Sequence, residues 1–231
     1  MKVAIMQPYF LPYIGYFQLI NAVDEFVIYD NIQYTKKGWV NRNRFLQRGS
    51  GATFSIPVKN ASHLLDIRQR EISESFQRDK LATQLTNAYA KAPHFDCFPI
   101  IQNILQCEEK NLFAYILNSI SQICSYLNIG TQVTVSSSVG IDHRNLSGKA
   151  RVLAICRNLN ASTYINPIGG IGLYQKADFR EHAIHLCFLK AGDIKYRQFN
   201  NDFVPNLSIV DLMMFNSKEK TVEYLDRYTL V

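Results

Sequence analysis

Nothing in this sequence supports a disulfide framework. The cysteines are Cys97, Cys107, Cys124, Cys156 and Cys187, an odd number without a CxxC pair, which points to a reducing compartment. No run approaches ~18 consecutive apolar residues, so no membrane-spanning helix is expected. The first strand begins at Lys2 with no basic leader or small-residue cleavage site ahead of it, so a cytoplasmic protein is expected. Dense lysine–arginine runs are also missing, and charge alone gives no case for nucleic acid. There is no GxSxG and no HExxH, and His182 and His185 lie three apart near a strand, facing opposite sides. A side-chain nucleophile and a metal site are therefore both unexpected, and the cysteines read as small core residues.

What the chain does contain is an ordinary globular balance. Its 231 residues are 47% hydrophobic and 19% charged, enough for one α/β domain over 1–231. The net charge of +6 favours anionic ligands such as nucleotides and sugar nucleotides. VAIM (3–6) and EFVIYD (25–30) are short apolar runs of the kind buried on both faces. Between them, residues 13–21 carry helical periodicity. Strand, helix and strand in about thirty residues is a βαβ unit, and a Rossmann-like parallel sheet follows. Further strands are expected at 53–58, 67–72, 131–137, 162–167 and 182–189, with another around Tyr196. Residues 76–128 read as a helical insertion. A helix is expected over 147–159, capped by Ser147, and another begins near Ser208, where S-x-x-D resembles a capping box with Asp211.

Ligands of such sheets bind at the carboxyl ends of the strands, and two polar, aromatic segments emerge there. The first holds Gln7, Tyr9, Tyr13, Gly15 and Tyr16. Gly15 at a helix start leaves backbone N–H groups open to an anion, while the tyrosines are either ligand donors or packing residues. The second, YDNIQYTKKGWVNRNRF, offers Asp30, Gln33, Tyr34, Lys36, Trp39, Asn41, Arg42 and Asn43. Cations suit phosphates, a flat ring suits a base or sugar, and amides suit hydroxyls. The alternative is a solvated basic loop. A third segment, INPIGGIGLY, contributes Asn166 and Tyr174 after a strand, but its spacing misses GxGxxG and reads equally as a plain turn.

In order along the chain, QPYFLPYIGYFQLI, DEFVIYDNIQYTKKGWVNRNRF, AYAKAPHF, STYINPIGGIGLY and FVPNLSIVDLM resemble the WbqC-like family. The glycine block is the loosest, with Asn166-Pro167 where such proteins tend to carry Ser-Gly. The resemblance implies a bacterial protein of surface-polysaccharide (O-antigen) synthesis. It further implies transfer of an acyl or aminoacyl group, such as glycyl, to the amine of a nucleotide-linked amino sugar. The runner-up is a non-catalytic sugar-nucleotide or RNA-binding accessory. A more distant likeness is to HIGH-type nucleotidylyl transferases, with Tyr13 and Tyr16 at the histidine positions. A phenol makes a weaker bond to phosphate than an imidazolium, and no KMSKS-like lysine loop is present. An already activated donor, aminoacyl-tRNA or an acyl thioester, is therefore expected, with no resident cofactor. Amine attack calls for a base: Asp30 first, then Asp211 and His94. Gln7, Asn43 or the backbone at Gly15 are the expected oxyanion donors, and basic residues 36–44 the expected holders of the diphosphate.

Overall fold

The computed structural model describes residues 1–231 except Arg144, Ser147 and Asn201. The cap expected at Ser147 lies outside the described residues. In chain order the strands are β1 (Lys2–Met6), β2 (Glu25–Ile28), β3 (Arg42–Gln47) and β4 (Ser50–Ser55), then β5 (Gln132–Val135), β6 (Thr163–Pro167), β7 (His185–Ala191) and β8 (Tyr228–Leu230). The helices are α1 (Ile14–Asn21), α2 (Arg78–Tyr89), α3 (Phe98–Gln106) and α4 (Leu112–Tyr126), then α5 (Gly148–Asn158), α6 (Lys176–Arg180), α7 (Ile209–Phe215) and α8 (Lys218–Leu225). Among the described residues no helix is long and apolar enough to cross a membrane.

Six strands form the main sheet in the order β5-β2-β1-β6-β7-β8, and all pairs but the last, β7 with β8, are parallel. This is the Rossmann-like α/β arrangement that the apolar runs predict. Alternate residues of the central strands face opposite layers. Ala4, Phe26, Ile28 and Ile165 join a large core with α1, α2, α3, α4, α7 and α8. Val3, Ile5, Val27 and Tyr164 pack instead against Val152, Ile155 and Cys156 of α5 and Phe179 of α6. Each such fully buried Val, Ile or Phe side chain contributes about 1.5–3 kcal/mol.

Beside the main sheet, β3 and β4 form an antiparallel hairpin. Its two turn residues, Arg48 and Gly49, both have positive φ, at 51° and 78°, as a tight hairpin matched to the strand twist requires. The sequence reading treats 29–45 as strand end and loop, so β3 is a departure from it. Residues 67–72 depart as well. In place of a strand, Ile67–Gln69 is a 3₁₀ turn closed by a capping box between Asp66 and Gln69. Arg70 is buried there, donating to the Ser62 carbonyl at 2.8 Å and lying over the Tyr34 ring. The Tyr196 region is irregular rather than a strand, and α6, α8 and β8 have no counterpart in the sequence reading.

Tyr196 is held by a buried carboxylate. Asp211 is fully buried on α7 and accepts from Tyr89 Oη at 2.9 Å, Tyr196 Oη at 2.6 Å and Gln198 Nε2 at 2.6 Å. Tyr89 Oη in turn accepts from Leu46 N of β3. One cluster thus ties α2, β3, α7 and the 196–198 segment together. Ser208 does cap α7, accepting from Val210 N, but the Asp211 side chain turns inward and closes no box with it.

Burial raises the Asp211 carboxyl above its ordinary 3.8, opposed by the hydrogen bonds from Tyr196, Gln198 and Tyr89. A raised folded pKa means that its stabilising contribution is complete below pH 3.8 and is lost as pH rises through the folded value. The stability advantage of wild type over Asp211→Asn should therefore shrink as pH rises, measured by urea unfolding across the acid range. Tyr89→Phe, which strands Leu46 N–H, should cost about 1–3 kcal/mol at neutral pH.

Candidate functional site

The chain leaves β1 toward β2 on one side, while β6, on its other side, continues to β7. Connections that part in this way open a crevice at the carboxyl ends of the strands. A cavity of about 1070 Å³ lies there. Gln7 and Tyr9 line it after β1, Tyr29, Asn31 and Gln33 after β2, and Asn166, Pro167, Gly169, Gly170, Leu173 and Tyr174 at the end of β6, with Trp39 and Asp66 alongside. Gly148, Arg151 and Val152 bring the first turns of α5 to the same space. A second cavity of about 550 Å³ shares Asn31, Asp66 and Arg151 with it and adds Arg68, Ser137, Asp142 and His143.

The main cavity is aromatic, and among the described residues its lining holds one cation, Arg151. Arg151 donates to the carbonyls of Leu146 at 2.9 Å, Asn31 at 3.3 Å and His143 at 2.8 Å, and its guanidinium lies 5.9 Å from the Tyr29 ring. Burial pushes the phenols of Tyr9 and Tyr174 up; it does the same for Tyr29, partly offset by Arg151. All three remain neutral hydrogen-bond donors at physiological pH. Asn166 is buried and accepts from Tyr164 Oη at 3.0 Å. A Cβ on Gly170 would stand 1.9 Å from Asn166 Nδ2, so the glycine loop is shaped by this close approach.

The two segments expected to share a crevice do so through Gln7, Tyr9, Gln33 and Trp39. Most of their other polar residues bind backbone instead. Asp30, expected as the base, is 2% exposed and does not line the cavity. Its Oδ1 accepts from Ser136 Oγ at 2.8 Å and Ser137 N at 2.9 Å, fastening β2 to the turn after β5. Asp211 is sealed in its own cluster. His94 opens the 3₁₀ turn Phe95–Cys97, its N–H on the Met214 carbonyl. None of the three expected bases reaches the cavity, because each is engaged elsewhere or lies on another face.

Asn43, expected to meet an oxyanion, donates to the carbonyls of Leu11 at 2.9 Å and Phe10 at 3.3 Å. Asn41 accepts from Tyr34 Oη and donates to the Ile56 carbonyl. Lys36 and Lys37 are exposed on a turn, Arg42 folds over Trp39, and Arg44 lies against Gly51; none lines the cavity. Tyr16 is buried, donating to the Gln7 carbonyl at 2.9 Å. Tyr13 lines a separate small cavity with Ile194, Phe203 and Leu207. Its ring covers Gly15, where a Cβ would stand 2.4 Å from Tyr13 Cε2. Gly15 therefore makes room for a side chain, and the YIGY stretch presents no pair of phenols to the site.

Residues 7–223 match the WbqC-like protein family. The chain belongs to that family. Rv1507c, an uncharacterized protein of Mycobacterium tuberculosis, is 32% identical over 231 residues, spanning 97% of each chain. No solved structure matches. Within this WbqC-like chain, the matched span holds every cavity residue from Gln7 to Tyr174.

Arg151, Asp66, Tyr29 and Asn31 are the polar lining residues that sequence reasoning left unassigned. Tyr29 and Asn31 flank Asp30 just beyond the end of β2 and line the cavity that Asp30 does not. Arg151 could have been flagged by its place in the first turn of a helix that follows a parallel strand.

Trp39 is the single tryptophan and is 46% exposed at the cavity wall. Ligand entry should change its emission. Titration of wild type with a panel of nucleotides and sugar nucleotides should give saturable changes, and Trp39→Phe should be silent.

Proposed function

We propose that this cavity binds a nucleotide-linked amino sugar and that the protein transfers an acyl or aminoacyl group to the amine of that sugar, in the cytoplasm, for a bacterial surface polysaccharide. The observation that carries the reading is the composition of the switch-point cavity: aromatic faces, amides and one fixed guanidinium beside the first turn of a helix. Its volume of about 1070 Å³ suits a ligand at or above drug size. Arg151 and the α5 N-terminus are suited to the diphosphate, and Tyr9, Trp39 and Tyr174 to flat rings.

Asp66 takes the role first expected of Asp30. It is the carboxylate shared by the two cavities, with Arg68 Nε at 3.8 Å. The sugar amine attacks the carbonyl of an activated donor, an aminoacyl ester or a thioester. The N–C bond forms as the C–O or C–S bond breaks, and Asp66 accepts the amine proton and passes it to the leaving oxygen or sulfur, releasing an alcohol or thiol. Asn31 and Gln7 are placed to orient the reacting groups.

A second reading is an accessory protein that binds a sugar nucleotide, or RNA, without turning it over. It is favoured by the engagement of Asp66, whose side chain already accepts from the Gln69 backbone in the capping box.

The test combines Trp39 emission with mass-spectrometric product detection across nucleotide-linked amino sugars and activated donors. Arg151→Met should weaken binding at least about tenfold. Asp66→Asn keeps a good cap, so it should preserve binding and lower turnover by about 10²–10⁴-fold. Unchanged turnover in Asp66→Asn would remove the base assignment. Binding without product from any donor would favour the accessory reading; absence of binding by any sugar nucleotide would overturn the transferase reading, and absence of RNA binding as well would overturn both.

A further inference from the structure

Exposed large apolar side chains are unevenly distributed over this molecule. Apart from Tyr13 and the terminal residues Met1, Leu230 and Val231, they are Trp39 (46% exposed), Leu64 (70%), Ile171 (55%) and Leu173 (71%). Two of them, Trp39 and Leu173, line the main cavity, and the other two lie within two residues of its lining residues in the chain. Ile171 shares the 3₁₀ segment Ile168–Leu173 with lining glycines. Leu64 lies two residues before lining Asp66, and the neighbouring His63 carbonyl accepts from lining Gln33. Isolated exposed leucines need no explanation, but a group around one opening does.

The same loops are basic. Lys36 and Lys37 sit on the turn that leads to Trp39, and Lys176 follows Tyr174; all three are exposed. None has a carboxylate within 4.0 Å among the described residues, whereas nearby Asp66 and Asp178 face Arg68 and Lys149. Aliphatic tips, an indole stacked with Arg42 at 5.4 Å and unpaired lysines match the two layers of a lipid interface: acyl chains below, anionic headgroups above. A symmetric contact between two copies through this rim would bring the Lys36–Lys37 turns of both near one another, and like charges oppose it.

We infer that the cavity mouth docks on an anionic membrane surface, inserting Leu64, Ile171 and Leu173 with Trp39 at headgroup level and Lys36, Lys37 and Lys176 against lipid phosphates. Four side chains and three lysines give weak, reversible attachment. The mouth is therefore open to water for part of the time, and soluble ligands retain access. The inference does not rest on the transferase reading.

The experiment is co-sedimentation of the full chain with phosphatidylcholine vesicles and with vesicles also containing phosphatidylglycerol, at about 0.1 M salt, read together with Trp39 emission. Association with the anionic vesicles and a blue shift of Trp39 are expected. Leu64→Ser with Ile171→Ser, and separately Lys36→Glu with Lys37→Glu, should each lower the bound fraction, the former at least about tenfold. Circular dichroism and thermal melting verify that both variants fold. Failure to bind anionic vesicles, equal binding to neutral ones, or binding unchanged by either pair overturns the inference. So does a concentration-dependent dimer abolished by the serine pair, which would make the rim a self-interface. No substrate or turnover enters the assay, so failure here leaves the proposed activity standing, and failure of that activity leaves this result interpretable.

Discussion

Where the chain goes after each central strand decides where this protein can bind anything. β1 and β6 are hydrogen-bonded neighbours, yet the connection from β1 runs to β2 on one side and that from β6 to β7 on the other. Among the described residues no crossover covers the gap between their carboxyl ends. Side chains fill it only in part: Gln7 and Tyr9 from one strand, Asn166 and the glycine loop from the other, with the first turns of α5 as a wall. Had both connections left on the same side, one would have roofed the space. The crevice is a consequence of strand order.

Keeping the crevice open requires ordered loops, and ordered loops carry buried carbonyls and N–H groups that need partners. This explains the fate of the polar residues that crowd the two amino-terminal segments. Leu11 has a φ of 43°, in the sparsely populated left-handed region, and its carbonyl receives both Asn43 and Ser208. Phe10 N donates to Val40 and Ile209 N to the Pro12 carbonyl, so residues 10–12 are clamped between the hairpin and α7. Asp30 does similar work for β2 and β5. A loop rich in Asn, Asp and Tyr reads the same in sequence whether those groups face a ligand or the backbone. Only the path of the chain separates the two cases.

That ambiguity marks the boundary of what the sequence made legible. The central strands were readable because burial on both faces leaves an uninterrupted apolar signature, as in VAIM and the start of EFVIYD. The sharing of one crevice by Gln7, Tyr9, Gln33 and Trp39 was readable too, because it follows from the βαβ unit. The β3–β4 hairpin was not, because Arg42, Asn43 and Arg44 mask the alternation that Phe45 and Phe54 continue. Nor was the 3₁₀ turn at Ile67–Gln69, where Ile67 and the following Ile72 mimic a strand while the Asp66 cap dictates a turn. Asp66 and Arg151 escaped notice for a related reason: each is set by a local cap or helix start distant in sequence from the residues it faces.

Their mode of support also bears on what the cavity can do. A guanidinium on a free side chain gains little from an anion, because holding it in place costs rotamer entropy. Arg151 has already lost that freedom, with three carbonyls on its nitrogens and the Tyr29 ring beneath it. Those carbonyls are neutral, so they fix the position of the guanidinium without cancelling its charge. Asp66 is likewise immobilised by its turn. A cation and a carboxylate pre-set at the junction of two cavities, among phenols that stay neutral, can orient a polar ligand with little reorganisation. The lysines of the mouth are exposed and, among the described residues, have no carboxylate partner, and they suit long-range attraction rather than geometry. The chain therefore separates attraction at the rim from orientation at the floor, and the two can be altered independently.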